Sequence, residues 1–319
     1  MGEAEMKTNR IGRTDIEVTD VSFGGASIGN LYREVDDDDA HAVLQTAWDA
    51  GIRYFDTAPH YGRGRSEQRL GHFLAGRSGY RLSTKVGRLL SPSDHPIEQA
   101  DGYVKPLQND VVYDYSGDGI EASLEQSLER LGLDHVDIVY VHDLGRYTHG
   151  DHNDGHMEAF LSSGYDRLTQ LKAAGRIGAF GLGVNECQVC LDVMDHGPID
   201  VILLAGRLTL LDRSAEVELV PRCLAAETSL VLGGIFNSGI LATGPVPDAT
   251  YDYGRASPEI MDQVRDLQTR AEEQGMTLAT AALLFAKRHK ATSSLLLGTA
   301  KSKTLQRNLD ALAKHSAQD

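Results

Sequence analysis

The segments FDTAPHYG, LSTKVG and VYVHD set four reactive side chains along the chain: Asp56, Tyr61, Lys85 and His142. Asp56, Lys85 and His142 each close a short apolar run that reads as a β-strand, and Tyr61 follows in the loop after Asp56. Together these types suit one reaction. A hydride arriving at a carbonyl carbon leaves an alkoxide that needs a proton. In reverse, an alcohol or hemiacetal hydroxyl needs a base. A phenol serves both once its pKa falls from about 10 toward the working pH. Lys85 supplies a charge that favours the phenolate. Asp56 pairs with Lys85 and holds it near the phenol, and His142 donates a hydrogen bond that orients the substrate oxygen. Singly, each residue has an ordinary use as a turn or cap aspartate, a rim lysine or a packing histidine. The signal is the joint order Asp, Tyr, Lys, His at successive strand ends.

Residues so far apart meet only if their strands end on one rim. Eight short β-branched or apolar runs read as strands: 21–25, 52–57, 81–86, 136–141, 179–184, 201–205, 230–235 and 294–298. Several are apolar throughout, as strands covered by helices are. Helical spacing fills the gaps: residues 36–50, a segment carrying Ile120, Leu124, Leu128 and Leu131 before Gly132, and 165–174 before Gly175. Ser257-Pro258-Glu259 caps a further helix, and others cover 278–289 and 304–313. Acidic residues at 36–39 match a helix N-terminus and are read as such, not as a metal site. The expectation is an α/β fold, a (β/α)8 TIM barrel over 1–319 as one domain. Residues 8–20 form a hairpin under the barrel. Two long loops, 87–119 after the third strand and 143–163 after the fourth, sit on the active face. Tyr113, Tyr115 and Asp143 are the substrate-facing candidates there. Variable surface insertion is the equal alternative.

Composition narrows the partners. The 319 residues carry 41% hydrophobic and 24% charged residues and a formal net charge of −15. An acidic surface repels nucleic acid and anionic membranes. The opening MGEAEMKTNR lacks the apolar stretch of a signal peptide, and its Met-Gly start has the wrong spacing for lipidation. A cytoplasmic protein acting on a small molecule is expected, with no metal. Cys187, Cys190 and Cys223 read as reduced thiols. Oligomeric state is not legible.

The segments FDTAPHYGRGRSEQRLG, LSTKVG, SLERLGLDHVDIVYVHD, GLGVNE and GTAKSKTLQRNL together resemble the aldo-keto reductase family, from about residue 8 to 312. By that resemblance Asp56, Tyr61, Lys85 and His142 are the catalytic tetrad, Tyr61 is the general acid/base, and NAD or NADP lies extended across the barrel mouth. VYDYSGDGI, LLAGRLTLLD and FNSGILATG are similar to the branch holding D-threo-aldose (L-fucose) 1-dehydrogenases, L-galactose dehydrogenases and pyridoxal 4-dehydrogenases. Members of that branch oxidise a cyclic hemiacetal to a lactone. The sugar reading stands ahead of the pyridoxal one. A general NADPH carbonyl reductase and a non-catalytic, cofactor-bound regulatory barrel are the alternatives.

Position and resemblance also mark the cofactor contacts. Asn185, after the fifth strand, would hold the carboxamide. Phe236, Asn237, Ser238, Gly239 and Leu241 follow the seventh strand, where a glycine and small residues let backbone N–H groups approach a pyrophosphate. Gly298, Lys301, Thr304, Arg307 and Asn308 lead into a helix N-terminus that suits the adenosine phosphate. Relatives that prefer NADPH carry an arginine where this chain has Thr304, and a basic pair where it has Gly298-Thr299. NAD is therefore expected, with NADP kept open by Lys301, Lys303 and Arg307. Leu208 stands where related sequences carry an aromatic residue, which bears on the shape of the sugar pocket.

Overall fold

The computed structural model describes residues 6–316. Residues 1–5, part of the segment read against a signal peptide, lie outside the described residues. Eight strands close into a parallel barrel: Val21–Gly24, Tyr54–Asp56, Arg81–Val86, Val136–His142, Ile177–Val184, Val201–Ala205, Ser229–Gly233 and Thr292–Leu297. Each pairs with its neighbours in chain order, and the eighth returns to the first. The expected barrel is present, with strand bounds shifted by at most two residues. No described helix is long and apolar enough to cross a membrane.

The barrel's lower end is closed by the hairpin Thr8–Arg10 with Glu17–Thr19. Its Ile11 and Val18 are buried against Tyr54, Ile138, Tyr140, Val201 and Val231. Helices cover the outside. Asp36 caps Asp37–Asp49 by accepting from the Asp39 N–H at 2.7 Å, and three aspartates fill its first turn, where the helix dipole favours anions. Ser257 caps Pro258–Glu273 in the same way.

Sequence periodicity passes over two helices. Arg65–Leu74 carries only three large apolar residues, Leu70, Phe73 and Leu74, and its buried face also holds Ser66 and the fully buried Glu67. The charge is satisfied by Arg130 Nε at 2.6 Å and Thr84 Oγ1 at 2.6 Å. Leu219–Ala226 carries an internal proline, which hides it.

The two long connections are more ordered than loops. After the third strand, Arg88–Pro92 pairs antiparallel with Asn109–Tyr113, and Gln99–Ala100 pairs with Tyr103–Val104 nearer the tip. This arm folds back on the loop after the first strand. The Val104 N–H donates to the Asn30 carbonyl at 3.0 Å, and the Tyr32 N–H to that of Gly102 at 2.8 Å. The expected loop at 143–163 is a correction. It holds the short helices Arg146–His149 and Asn153–Ala159, and a π-turn, Phe160–Gly164, that runs into Tyr165–Ala173. Glycines and histidines weaken helix propensity there, while burial of Phe160 restores the helix.

Candidate active site

Strand register sets the site. Asp56 lies opposite Ser83 on the third strand, Lys85 opposite Tyr140 on the fourth, and His142 opposite Gly183 on the fifth. Side chains alternate along a strand, so every second residue points into the barrel. A Cβ at Gly183 would press on Tyr140 Cβ at 3.2 Å and touch Lys85 Cε at 3.4 Å, an ordinary contact distance.

Lys85 Nζ donates to Asp56 Oδ2 at 2.7 Å and to the Thr57 carbonyl at 2.9 Å. Ser83 Oγ donates to the other carboxylate oxygen at 2.7 Å. Both charges are buried, Lys85 at 1% exposure and Asp56 at 0%. Burial pushes Asp56 up and Lys85 down, and their contact opposes both shifts.

Lys85 Nζ stands over the Tyr61 ring, 4.6 Å from its centre. The His142 ring meets that of Tyr61 edge-on at 5.8 Å between centres. The structure thus brings all four tetrad residues together. The expected direction of the phenol's shift is corrected. Burial holds Tyr61 well above its ordinary range, the Asp56 and Asp143 carboxylates add to this, and Arg88 opposes it. The Lys85 ammonium is matched by Asp56 and does not reverse the balance.

His142 is 5% exposed. Burial, then Arg88, Lys85 and His60, hold its imidazole well below the ordinary range, so the ring is neutral. Its Nδ1 is buried without a partner, whereas Nε2 lies 3.5 Å from Asp143 Oδ2. A proton on Nδ1 would strand a buried donor, so the proton belongs on Nε2. The ring then presents an N–H donor beside the phenol.

Among the substrate candidates, Asp143 ion-pairs with the buried Arg88 and adopts a left-handed φ of +50°. Tyr113 is partly exposed beneath Arg88, with the guanidinium 5.2 Å from its ring centre. Tyr115 is a correction. It is fully buried, and its hydroxyl donates to the His142 carbonyl at 2.7 Å while meeting His149 Nε2 at 2.9 Å. It braces the end of the fourth strand at His142. Leu208 is buried in the core and lines no open surface.

Three residues near the tetrad escaped the sequence reading. Arg88 follows Lys85 by three positions. His60 precedes Tyr61 and stands edge-on to His142 at 5.9 Å. Tyr103 comes from the arm, its ring 6.3 Å from that of Tyr61. Arg88 and His60 sit beside motif residues and were findable by position. Nothing local marks Tyr103.

The cofactor candidates divide. Asn185 follows the fifth strand, and its Nδ2 donates to the Tyr253 hydroxyl at 3.1 Å. Phe236, Asn237, Ser238 and Gly239 form a tight turn after the seventh strand, with left-handed φ from Asn237 to Gly239. Two of the candidate side chains in this segment are buried. The Asn237 side chain is engaged inward, with Oδ1 accepting from Thr209 at 2.6 Å and Nδ2 donating to the Gly206 carbonyl at 3.1 Å. The Leu241 side chain is buried, and its N–H, like that of Gly239, donates to the Phe236 carbonyl. Gly298 is exposed past the eighth strand and opens toward the helix Ser302–Ser316. Lys301, Lys303 and Arg307 are exposed there, Thr304 is half-buried and Asn308 buried. Arg33 Nη2 reaches the Ala300 carbonyl at 3.4 Å and adds a cation to that end.

Among the described residues, no group of three or more His, Cys, Asp or Glu is placed to hold a metal ion, and the three cysteines are free. What the rim offers is an acid, a neutral donor and a buried ion pair. These fit a nicotinamide-dependent oxidoreductase built on a parallel barrel. The chain belongs to the aldo/keto reductase family, whose profile it matches over residues 20–319. It is 40% identical to a pyridoxal 4-dehydrogenase from Microbacterium luteolum, over 94% of this chain and 91% of that one. It is 35% identical to a D-threo-aldose 1-dehydrogenase from a Pseudomonas species, over 91% and 88%. An aldo-keto reductase from Bacillus halodurans, solved in its holo form, shares the fold at a TM-score of 0.76, with 24% identity over 97% of this chain and 91% of that one.

Proposed function

We propose that this barrel oxidises the hemiacetal carbon of a small cyclic substrate to a lactone, with a nicotinamide as hydride acceptor. The observation that carries the reading is Tyr61 standing between the buried Asp56–Lys85 pair and the neutral His142. The substrate C–H and O–H bonds break and a C=O bond forms. The hydride leaves with both electrons of the C–H bond, and the hydroxyl proton passes to Tyr61 Oη. His142 Nε2–H donates to the same substrate oxygen and fixes its orientation. When bound, the cofactor supplies the hydride acceptor and, in its oxidised form, a positive charge beside the phenol that favours the phenolate.

Pyridoxal, which closes to a hemiacetal, is placed first and an aldose second, the reverse of the sequence-based order. The relative named for pyridoxal is the more similar of the two, at 40% against 35%. The flat faces of Tyr103 and His60 also suit a planar ring. NAD is the proposed cofactor, on the absence of an arginine at Thr304. Asn185 is proposed for the carboxamide, the backbone of 236–239 for the pyrophosphate, and 298–308 for the adenosine end.

Carbonyl reduction is the second reading. A phenol held protonated by burial is the acid that reaction needs. The test is one turnover panel, with pyridoxal, L-fucose, L-galactose and benzaldehyde offered against both cofactors in both directions. Turnover of pyridoxal or a sugar with NAD supports the proposal. Activity confined to aldehyde reduction with NADPH overturns it in favour of the second reading. No turnover of any substrate overturns both.

A further inference from the structure

Tyr103 belongs to the arm inserted after the third barrel strand, far from any motif of the tetrad. It is held over the mouth by backbone contacts to the loop after the first strand. A bridge pairs it with Leu31, the Val104 N–H donates to the Asn30 carbonyl at 3.0 Å, and Asn30 Nδ2 donates to the Val104 carbonyl at 3.0 Å. The side chain is 3% exposed, yet its hydroxyl makes no hydrogen bond among the described residues. That hydroxyl is not among the fully enclosed polar atoms, so a ligand can reach it and supply the missing partner.

Its surroundings say where that ligand lies. The Tyr103 ring is tilted 32° to that of Tyr61, with centres 6.3 Å apart. It stands edge-on to His60 at 5.4 Å, and His60 in turn to His142 at 5.9 Å. His60 Nδ1, by contrast, is fully buried without a partner. The arm therefore brings a second phenol beside that of Tyr61. Burial holds this phenol well above its ordinary range, so it remains a hydrogen-bond donor at neutral pH.

We propose that Tyr103 is a specificity-determining residue whose hydroxyl donates to an oxygen carried on the substrate ring beside the reacting carbon. Two substrate classes present such an oxygen: a hydroxylated aromatic aldehyde of the pyridoxal type, through its phenolic oxygen, and an aldose, through its 2-hydroxyl. The inference rests on the dehydrogenase reading above and deepens it. It also gives the insertion a purpose, since a plain barrel rim has no residue at this place.

The test uses the full chain and pairs of substrates that differ by one oxygen. Salicylaldehyde is compared with benzaldehyde in the reducing direction, and L-fucose with its 2-deoxy analogue in the oxidising direction. For each pair the ratio of kcat/KM is measured for the native chain and for Tyr103→Phe, a substitution that keeps the ring. A fall of about tenfold in the ratio, carried by KM and not by kcat, is expected for the pair that represents the natural class. A fall confined to the aromatic pair assigns the contact to a pyridoxal-type oxygen, and one confined to the sugar pair to an aldose hydroxyl. Unchanged ratios in both pairs, or parallel losses on both members of a pair, overturn the assignment. If the native chain turns over neither these four compounds nor pyridoxal, the dehydrogenase reading itself falls, which is a different result from an unselective Tyr103→Phe.

Discussion

The Lys85 ammonium lies over the face of the Tyr61 ring, 4.6 Å from its centre, and makes no hydrogen bond to the Tyr61 hydroxyl among the described residues. Its two hydrogen bonds go to Asp56 and to the Thr57 carbonyl. Lysine and aspartate thus form a nearly neutral unit under the phenol, and burial keeps the phenol protonated. The free site is set as a proton donor. Base catalysis needs added positive charge close by, which an oxidised nicotinamide brings.

Tyr61→Phe is expected to lower turnover by about 10²–10⁴-fold, the usual range for one general acid/base. Cofactor binding, followed by quenching of protein fluorescence, is expected to change by less than about threefold, because the ring stays in place. Turnover within about fivefold of native would remove Tyr61 from its assigned role.

The Asp56–Lys85 pair is also structural. Removing one partner leaves a buried charge uncompensated, at a cost of about 3–5 kcal/mol. Asp56→Asn and Lys85→Met should each shift the urea midpoint sharply downward. The double variant should be less destabilised than the sum of the two, because it leaves no stranded charge. Simple additivity would show that the two charges are not coupled in solution.

Gly87 has a left-handed φ of +95°, and a Cβ there would meet the Tyr115 ring at 2.4 Å. Gly87→Ala combines backbone strain with overpacking, roughly 2–4 kcal/mol in all. Tyr115 holds the carbonyl of His142. Displacing it should lower kcat as well as stability, and kcat measured well below the melting temperature separates the two effects. A variant with normal kcat and a normal urea midpoint would refute this packing.

Acid should weaken the fold before it protonates the site. Burial, then His156 and Arg88, lower His149 to about 4. Burial likewise lowers His60 and His142. Between about pH 6.5, where unfolded histidines titrate, and these depressed values, the unfolded chain binds protons that the folded chain does not. Stability is therefore full above about pH 6.5 and falls as the pH drops toward about 4. Urea unfolding at a series of pH values should show this slope, and His149→Gln should make it shallower. A variant slope equal to the native one would exclude His149 as a contributor.

Sequence order marked the tetrad because barrel strands end on one rim, so position along the chain translates into position in space. Asp56, Lys85 and His142 were legible for that reason. What escaped depends on contacts between segments distant in sequence. Tyr103 reaches the site only because its arm pairs with the loop at Asn30 and Leu31. Tyr115 reads as a loop aromatic, yet it is buried because Gly87 and Gly164 leave space for it. The turn 236–241 was located by its small residues. Which of its N–H groups face inward is decided by the Phe236 carbonyl, and no residue type reveals that. The direction of the Tyr61 shift is set mainly by burial of the phenol, which the order of residue types along the chain does not show.

On the proposed reading, cofactor choice turns on the start of the helix Ser302–Ser316. Thr304 lies in its first turn, half-buried, between the exposed Lys301 and Arg307. A 2′-phosphate adds negative charge there, and a guanidinium grips it through paired hydrogen bonds that a lysine does not reproduce. The chain has cations in this segment but no arginine at 304. Thr304→Arg should therefore raise kcat/KM with NADP by about tenfold relative to NAD, close to one charge-assisted hydrogen bond. Lys301→Ala in the native background should weaken NADP more than NAD. Because the gain is electrostatic at an exposed site, it should shrink as salt is raised from about 0.05 M to 0.5 M. A native enzyme that already prefers NADP would overturn the choice of NAD. A Thr304→Arg variant with an unchanged cofactor ratio would place the adenosine end elsewhere on the rim.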